Sequence, residues 1–132
     1  AYLDAINVLV APALRKFDPE LIVIASGLDA NAFDPLARMQ ANSATFREMT
    51  RIVMALADEL CGGRIVAVHE GGYAEVVVPF CGLAMMEELS GHRTDVIDPF
   101  EELTMAQQPA EDFNRFQLER LNRQKQEHSL FL

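Results

Sequence analysis

The chain has 132 residues, half of them hydrophobic, with seven glycines and six prolines, enough for one domain with a sizeable core and too apolar for a disordered chain. Its formal charge is −9, from 20 acidic against 11 basic residues, which argues against a nucleic-acid groove built from clustered Lys and Arg. No apolar run approaches the roughly 18 to 20 residues of a membrane span, and the opening from Ala1 is neither a signal peptide nor a transit peptide, so the expectation is a cytoplasmic protein with no membrane partner.

In chain order, Leu3, Ile6, Val10, Leu14 and Phe17 recur at helical spacing. Pro12 predicts a break or kink near the last turns of that helix. Asp18-Pro19 makes a turn, and Leu21 to Ala25 follows as an unbroken apolar run, the pattern of a strand buried on both faces in a parallel sheet. Ser26 to Gln40 is a loop with two aspartates and Pro35. A second helix is expected from about Ser43 to Cys61, with Phe46, Met49, Val53, Leu56 and Leu60 on one stripe. Ser43 is its expected N-cap, and Gly62-Gly63 ends it. Arg64 to His69 is the second buried strand, and Glu70-Gly71-Gly72-Tyr73 is the loop beyond it. A third helix should run from about Val76 to Ser90, with Pro79 near its start and Gly91 past its end. The stretch from His92 to Pro109 carries few helix or strand signals. From Ala110 to about Gln126 a polar helix is expected, with Glu111–Arg115 and Glu119–Arg123 as i,i+4 pairs and a narrow face of Phe113, Phe116 and Leu121. Cys61 and Cys81 have no CxxC around them and read as buried thiols in a reducing compartment. His69 reads as a structural strand-end histidine, His92 and His128 as solvated, and Met85-Met86 as core.

This order of helices and strands is an α/β pattern with a parallel sheet. Residues 1–109 form the folded part and 110–132 a helical tail. Two strands leave both sheet edges unpaired and little area to bury, so the sheet reads as part of a larger one. In open parallel sheets, ligands bind beyond the carboxyl ends of the strands. The loops Ser26–Leu36 and His69–Tyr73 both leave such ends, which puts them on one rim.

The string ASGLDANAFDPL in the first loop resembles the "SAGFDAH…GDPL" segment of the histone-deacetylase family, and HEGGY resembles its "EGGY" segment. The flanking PELIVIASG and VVVPFCGLAMMEELSG look like the bacterial class II type, the histone-deacetylase-like amidohydrolases. The resemblance covers about residues 1 to 100, with Asp29 and Tyr73 separated by 44 positions. It implies an arginase/deacetylase-type α/β fold, with a central parallel sheet flanked by helices, of which this chain is the C-terminal portion. It also implies zinc-dependent hydrolysis of an N-acetyl amide, acetyl-lysine on a protein or an acetylated polyamine.

Carried over residue by residue, the third zinc ligand of the family falls on Asp29. Carboxylate oxygen is an apt zinc donor beside histidine nitrogen. Tyr73 matches the catalytic tyrosine, whose phenol would donate to the oxygen that becomes negative as the amide is attacked. Gly71 and Gly72 let the backbone turn and approach the substrate without a Cβ. Leu36 falls on the wall of the acyl-lysine tunnel, while Asp34 and Pro35 shape the loop. Leu28 and Asn31 depart from the family's Phe and His, which puts substrate preference in question rather than the reaction. The remaining zinc ligands, in a "DxDxHHG" string, the paired histidines and the residues that hold K+ lie upstream in the family, and no such string occurs here. The alternative is a non-catalytic interaction or assembly module that docks through the helix from Ala110 to Gln126. A homo-oligomer stays open under either reading.

Overall fold

The structure, a computed structural model, describes residues 1–37 and 39–128; the end of the 110–132 tail lies outside them. The first helix is continuous but not uniform: α1 (Tyr2–Ala5) passes through a π turn (Ile6–Val10) into α2 (Ala11–Phe17). Of the break or kink expected near Pro12, a break does not occur, and the irregular turn lies just before the proline. Pro12 sits in the first turn of α2, and the wider turn before it keeps the chain helical where a pyrrolidine ring would crowd the preceding carbonyls. Asp18, with a left-handed φ of 53°, ends this helix and donates its N–H to the Leu14 carbonyl.

Strands β1 (Ile22–Ser26) and β2 (Ile65–His69) pair in parallel, Ile22 beside Ile65 through to Ser26 beside His69. Between them runs α3 (Ser43–Cys61), so the pair is a β-α-β unit. Helices α2 and α3 lie over one sheet face. Ala11, Ile22, Leu56, Ala57 and Cys61 form one core there, with Leu14, Ile24 and Ile65 packed against it. A second core joins the loop after β1 to α3 and to α4 (Val78–Ser90), through Leu28, Ala30, Phe46, Cys81 and Met85.

Burial of both strands on both faces is not found. Val23 is 60 % exposed, and Val66 and Val68 are about half exposed. No element of the described residues lies over that side, so three valines in neighbouring register positions face solvent. Met86, expected in the core with Met85, is 60 % exposed as well, because it follows its buried neighbour round to the outer side of α4.

Helix ends differ slightly from expectation. The N-cap of α3 is Asn42, not Ser43: the Asn42 side-chain oxygen accepts the Thr45 N–H at 2.9 Å. Ser43 instead donates its hydroxyl to Asp98 at 2.6 Å. Gly62 closes α3 with φ 60°, where a left-handed residue is needed and glycine adopts it without strain. A short helix, α5 (Glu101–Ala106), occupies part of the segment expected to be irregular. Its six residues are too few to show a helical period, and tertiary bonds hold it: buried Thr104 accepts from the Asn42 amide at 3.2 Å.

The last helix, α6 (Glu111–Glu127), buries none of its residues and packs on α1 and the π turn. Arg115 pairs with Asp112 rather than Glu111, and Glu119 and Arg123 form no ion pair among the described residues. No helix of the described residues is long and apolar enough to cross a membrane.

Candidate active site

Both rim loops leave the same end of the β1–β2 pair. The first holds its own shape. Asn31 is fully buried; its side-chain oxygen accepts the Phe33 N–H at 2.8 Å, and its amide donates to the Cys81 sulfur at 3.3 Å. Asp34, 5 % exposed, accepts the Leu36 N–H at 2.8 Å and the Ala37 N–H at 3.2 Å through Oδ1. Leu28 and Ala30 anchor the loop in the core. Phe33 stacks edge-on against Phe100, which also meets Phe80.

The second loop leans on the first. Glu70 donates its N–H to the Ser26 carbonyl at 3.0 Å, and Leu28 donates to the Gly71 carbonyl at 2.6 Å. Tyr73 donates its N–H to Asp34 Oδ2 at 2.9 Å. Among the described residues, these three bonds tie the Glu70–Tyr73 segment to the Ser26–Asp34 segment.

Asp29 and Tyr73 converge at Gly71. A Cβ there would overlap Asp29 Oδ2, stand 2.9 Å from Asp29 Cγ and 3.3 Å from Tyr73 Cε2. On the other side of the carboxylate, a Cβ at Gly27 would lie 2.7 Å from Oδ1. Only glycine fits at either position without displacing Asp29. Gly72, with φ 147°, is in a region side chains rarely adopt, and a Cβ there would press on Leu28 and Val78 at 3.1 and 3.2 Å. The Asp29 carboxylate and the Tyr73 ring thus flank one glycine.

Asp29 is half-buried and takes no backbone hydrogen bond among the described residues; the turn bonds of its loop belong to Asn31 and Asp34. It is therefore left over from loop construction. Tyr73 is 55 % exposed on the second loop, and Leu36 is 68 % exposed on the first. A cleft of about 560 Å³ between α1, Met39–Ala41 and α6 contains none of these residues. Leu28 and Asn31 are both core positions.

Burial would raise the Asp34 carboxyl, but the backbone N–H groups of Tyr73, Leu36 and Ala37 outweigh it and hold it below its ordinary value. Burial pushes the Cys81 thiol up to about 11, against a lowering by the Asn31 amide and with a further rise from Asp98. It is a core thiol and not a nucleophile. Both cysteines are free and buried. His69, His92 and His128 are exposed. Two features escaped sequence reasoning: the bond from Asp34 to Tyr73, which spans 39 positions, and the aromatic contacts of Phe33. Asp-Pro after a small-residue run did mark Asp34 as a turn residue, but not its second partner.

As a metal site the arrangement is partial. A half-buried carboxylate, held by glycines and unused by the backbone, suits an oxygen ligand. Among the described residues, however, no group of three His, Cys, Asp or Glu side chains comes together. Catalytic zinc needs about three protein ligands, and the described residues bring no such set together.

The profile of the histone deacetylase domain matches residues 1–89, a span that includes both rim loops. The chain belongs to the histone deacetylase family. It is 56 % identical over 121 residues to a histone deacetylase-like amidohydrolase of Pseudomonas aeruginosa, covering 92 % of this chain and 32 % of that protein. It is 42 % identical over 72 residues to a polyamine deacetylase of Mus musculus, covering 54 % of this chain and 10 % of that one. The crystal structure of the HDA15 HD domain matches 69 % of this chain with a TM-score of 0.61 and 28 % identity, covering 25 % of its own length. The chain thus spans about a third or less of the relatives it matches.

Proposed function

We propose that this chain is the C-terminal part of a zinc-dependent deacetylase that hydrolyses an N-acetyl amide, on lysine or on a polyamine-like amine. The convergence of Asp29 and Tyr73 on Gly71 carries the reading. In it, Asp29 is one metal ligand and the upstream half supplies the others, along with any K+ sites. Zinc, when bound, supplies Lewis acidity at the amide carbonyl. The Tyr73 hydroxyl donates a hydrogen bond to the carbonyl oxygen as that atom gains negative charge, and acetate and free amine are released. Gly71 and Gly72 keep the space beside the phenol clear, and Leu36 lies along the acyl chain. The names of the relatives support acetylated protein and acetylated polyamine equally.

The bare sheet face supports incompleteness. Val23, Val66 and Val68 present an apolar strip that an upstream layer of the same domain would bury. An acetyl-lysine reporter assay decides this: the domain with its upstream half should turn over, and the 132-residue chain should not. Zinc-dependent turnover by the short chain alone would overturn the proposal. Within the intact domain, Asp29→Ala should abolish stoichiometric zinc and lower turnover by more than about 1,000-fold. Retention of zinc after dialysis removes Asp29 from the ligand set.

If the intact protein lacks turnover, the assembly reading gains, since Phe113 and Phe116 of α6 are half exposed and lie against each other at 6.5 Å. No nucleic-acid partner is proposed, given the charge of −9. A cytoplasmic location completes the proposal, consistent with two free cysteines; recovery of the protein from a secreted fraction would exclude it.

A further inference from the structure

We propose that Asp34 is a positioning residue for Tyr73, joining the two rim loops so that the phenol stands beside the Asp29 carboxylate. The inference rests on the reading of Tyr73 as the reacting phenol. Asp34 uses its two oxygens in different directions. Oδ1 closes its own turn by accepting from Leu36 and Ala37 at 2.8 and 3.2 Å. Oδ2 crosses to the other loop and accepts the backbone N–H of Tyr73 at 2.9 Å.

The crossing bond is the one nearest the phenol. The other two ties reach Glu70 and Gly71, and between Gly71 and Tyr73 stands Gly72 in its left-handed φ of 147°. Glycine has the least backbone restraint of any residue, so the placement of Tyr73 relative to Gly71 is not transmitted through the chain. It is fixed at Tyr73 by this bond and, on the other side, through Ala74, whose carbonyl accepts the Val77 and Val78 N–H groups at 2.9 and 3.0 Å and which packs against the second core. The Tyr73 side chain gives little help, being 55 % exposed, whereas Asp34 is 5 % exposed and fixed by two further bonds. A buried carboxylate accepting three N–H groups is a strong, charge-assisted clamp. Neutralising it would weaken all three bonds at once.

The test uses the intact domain. Asp34→Ser keeps a side-chain oxygen able to close the local turn but is too short to reach Tyr73. Asp34→Asn turns one oxygen into a donor, which then opposes an N–H. Both should lower kcat by about 10- to 100-fold with KM and zinc content nearly unchanged, because small misplacements of a reacting group carry costs of that size. In the Tyr73→Phe background, the same substitutions should cost almost nothing further.

Hydrogen exchange supplies a readout independent of activity. The 70–76 peptide should exchange faster in Asp34→Ser, while the α3 peptide keeps its protection. Should Tyr73→Phe prove fully active, the functional reading fails, and exchange still reports whether Asp34 holds the loop. Normal kcat in Asp34→Ser, with Tyr73→Phe inactive, overturns the proposal. So does a full further loss of kcat in the double variant, or equal loosening of α3, either of which marks a general structural role. If Asp34→Asn does not fold, Asp34→Ser still decides the matter.

Discussion

The two rim loops reach the same place by different means. The loop after β1 is self-supporting: Asn31 and Asp34 close its turns, and Leu28, Ala30 and Asn31 are sunk in the core. The loop after β2 has little of its own. Its ties run to the Ser26 carbonyl, to Leu28 and to Asp34, and both its glycines are needed for close approach. The loop carrying Asp29 is therefore the scaffold, and the one carrying Tyr73 is a dependent. Damage to the first should spread to the second, and damage to the second should stay local.

The largest effect that sharpens this contrast is expected at Tyr73. Tyr73→Phe keeps the ring and its backbone bond to Asp34 and deletes the hydroxyl alone. Loss of one oxyanion donor costs on the order of 100- to 1,000-fold in kcat. KM, zinc content and melting temperature should hardly move. Steady-state kinetics on an acetyl-lysine substrate that returned near-normal kcat would remove the phenol from the chemistry.

Asn31→Ala should act on both loops. It leaves the Phe33 N–H without its acceptor and opens space at Cys81, with an expected loss of about 1 to 3 kcal/mol in urea unfolding of the intact domain. Because the second loop hangs from the first, kcat should fall too, by roughly 10-fold. A destabilised variant with full activity would break the asymmetry drawn between the loops.

Glu87 is a bonded network away from the rim and supplies the control. It accepts the Thr94 hydroxyl and N–H at 2.5 and 2.7 Å and pairs with Arg47 at 2.6 Å. The Thr94 bonds, then Arg47, outweigh burial and bring its carboxyl from 4.5 down to about 2. Between those values the unfolded chain binds more protons than the folded one, so stability rises with pH there. The contribution of Glu87 is complete above about pH 4.5 and lost as pH falls through about 2. Glu87→Gln should flatten that part of the melting-temperature profile and leave kcat near neutrality unchanged. An unaltered acid limb would mean that other carboxylates govern it.

Much of this was legible in the amino-acid order. The apolar runs at Leu21–Ala25 and Ile65–Val68, the glycine stops at Gly62 and Gly91, and the stripe of α3 are local signals, and the elements formed where those signals lie. The family was legible as well, because ASGLDANAFDPL and HEGGY carry residue types that a rim site needs at two strand ends. Tertiary contacts decided the rest. Asn42 displaced Ser43 as the cap because Ser43 found Asp98, 55 positions away. The π turn absorbed Pro12, and α5 formed around a buried Thr104. Above all, sequence separation hides which loop holds which: Asp34 reads as a turn residue on its own, and its bond to Tyr73 exists only because β1 and β2 lie side by side. Local order sets what each segment prefers, whereas a hydrogen bond across 39 positions depends on where packing has already carried both partners.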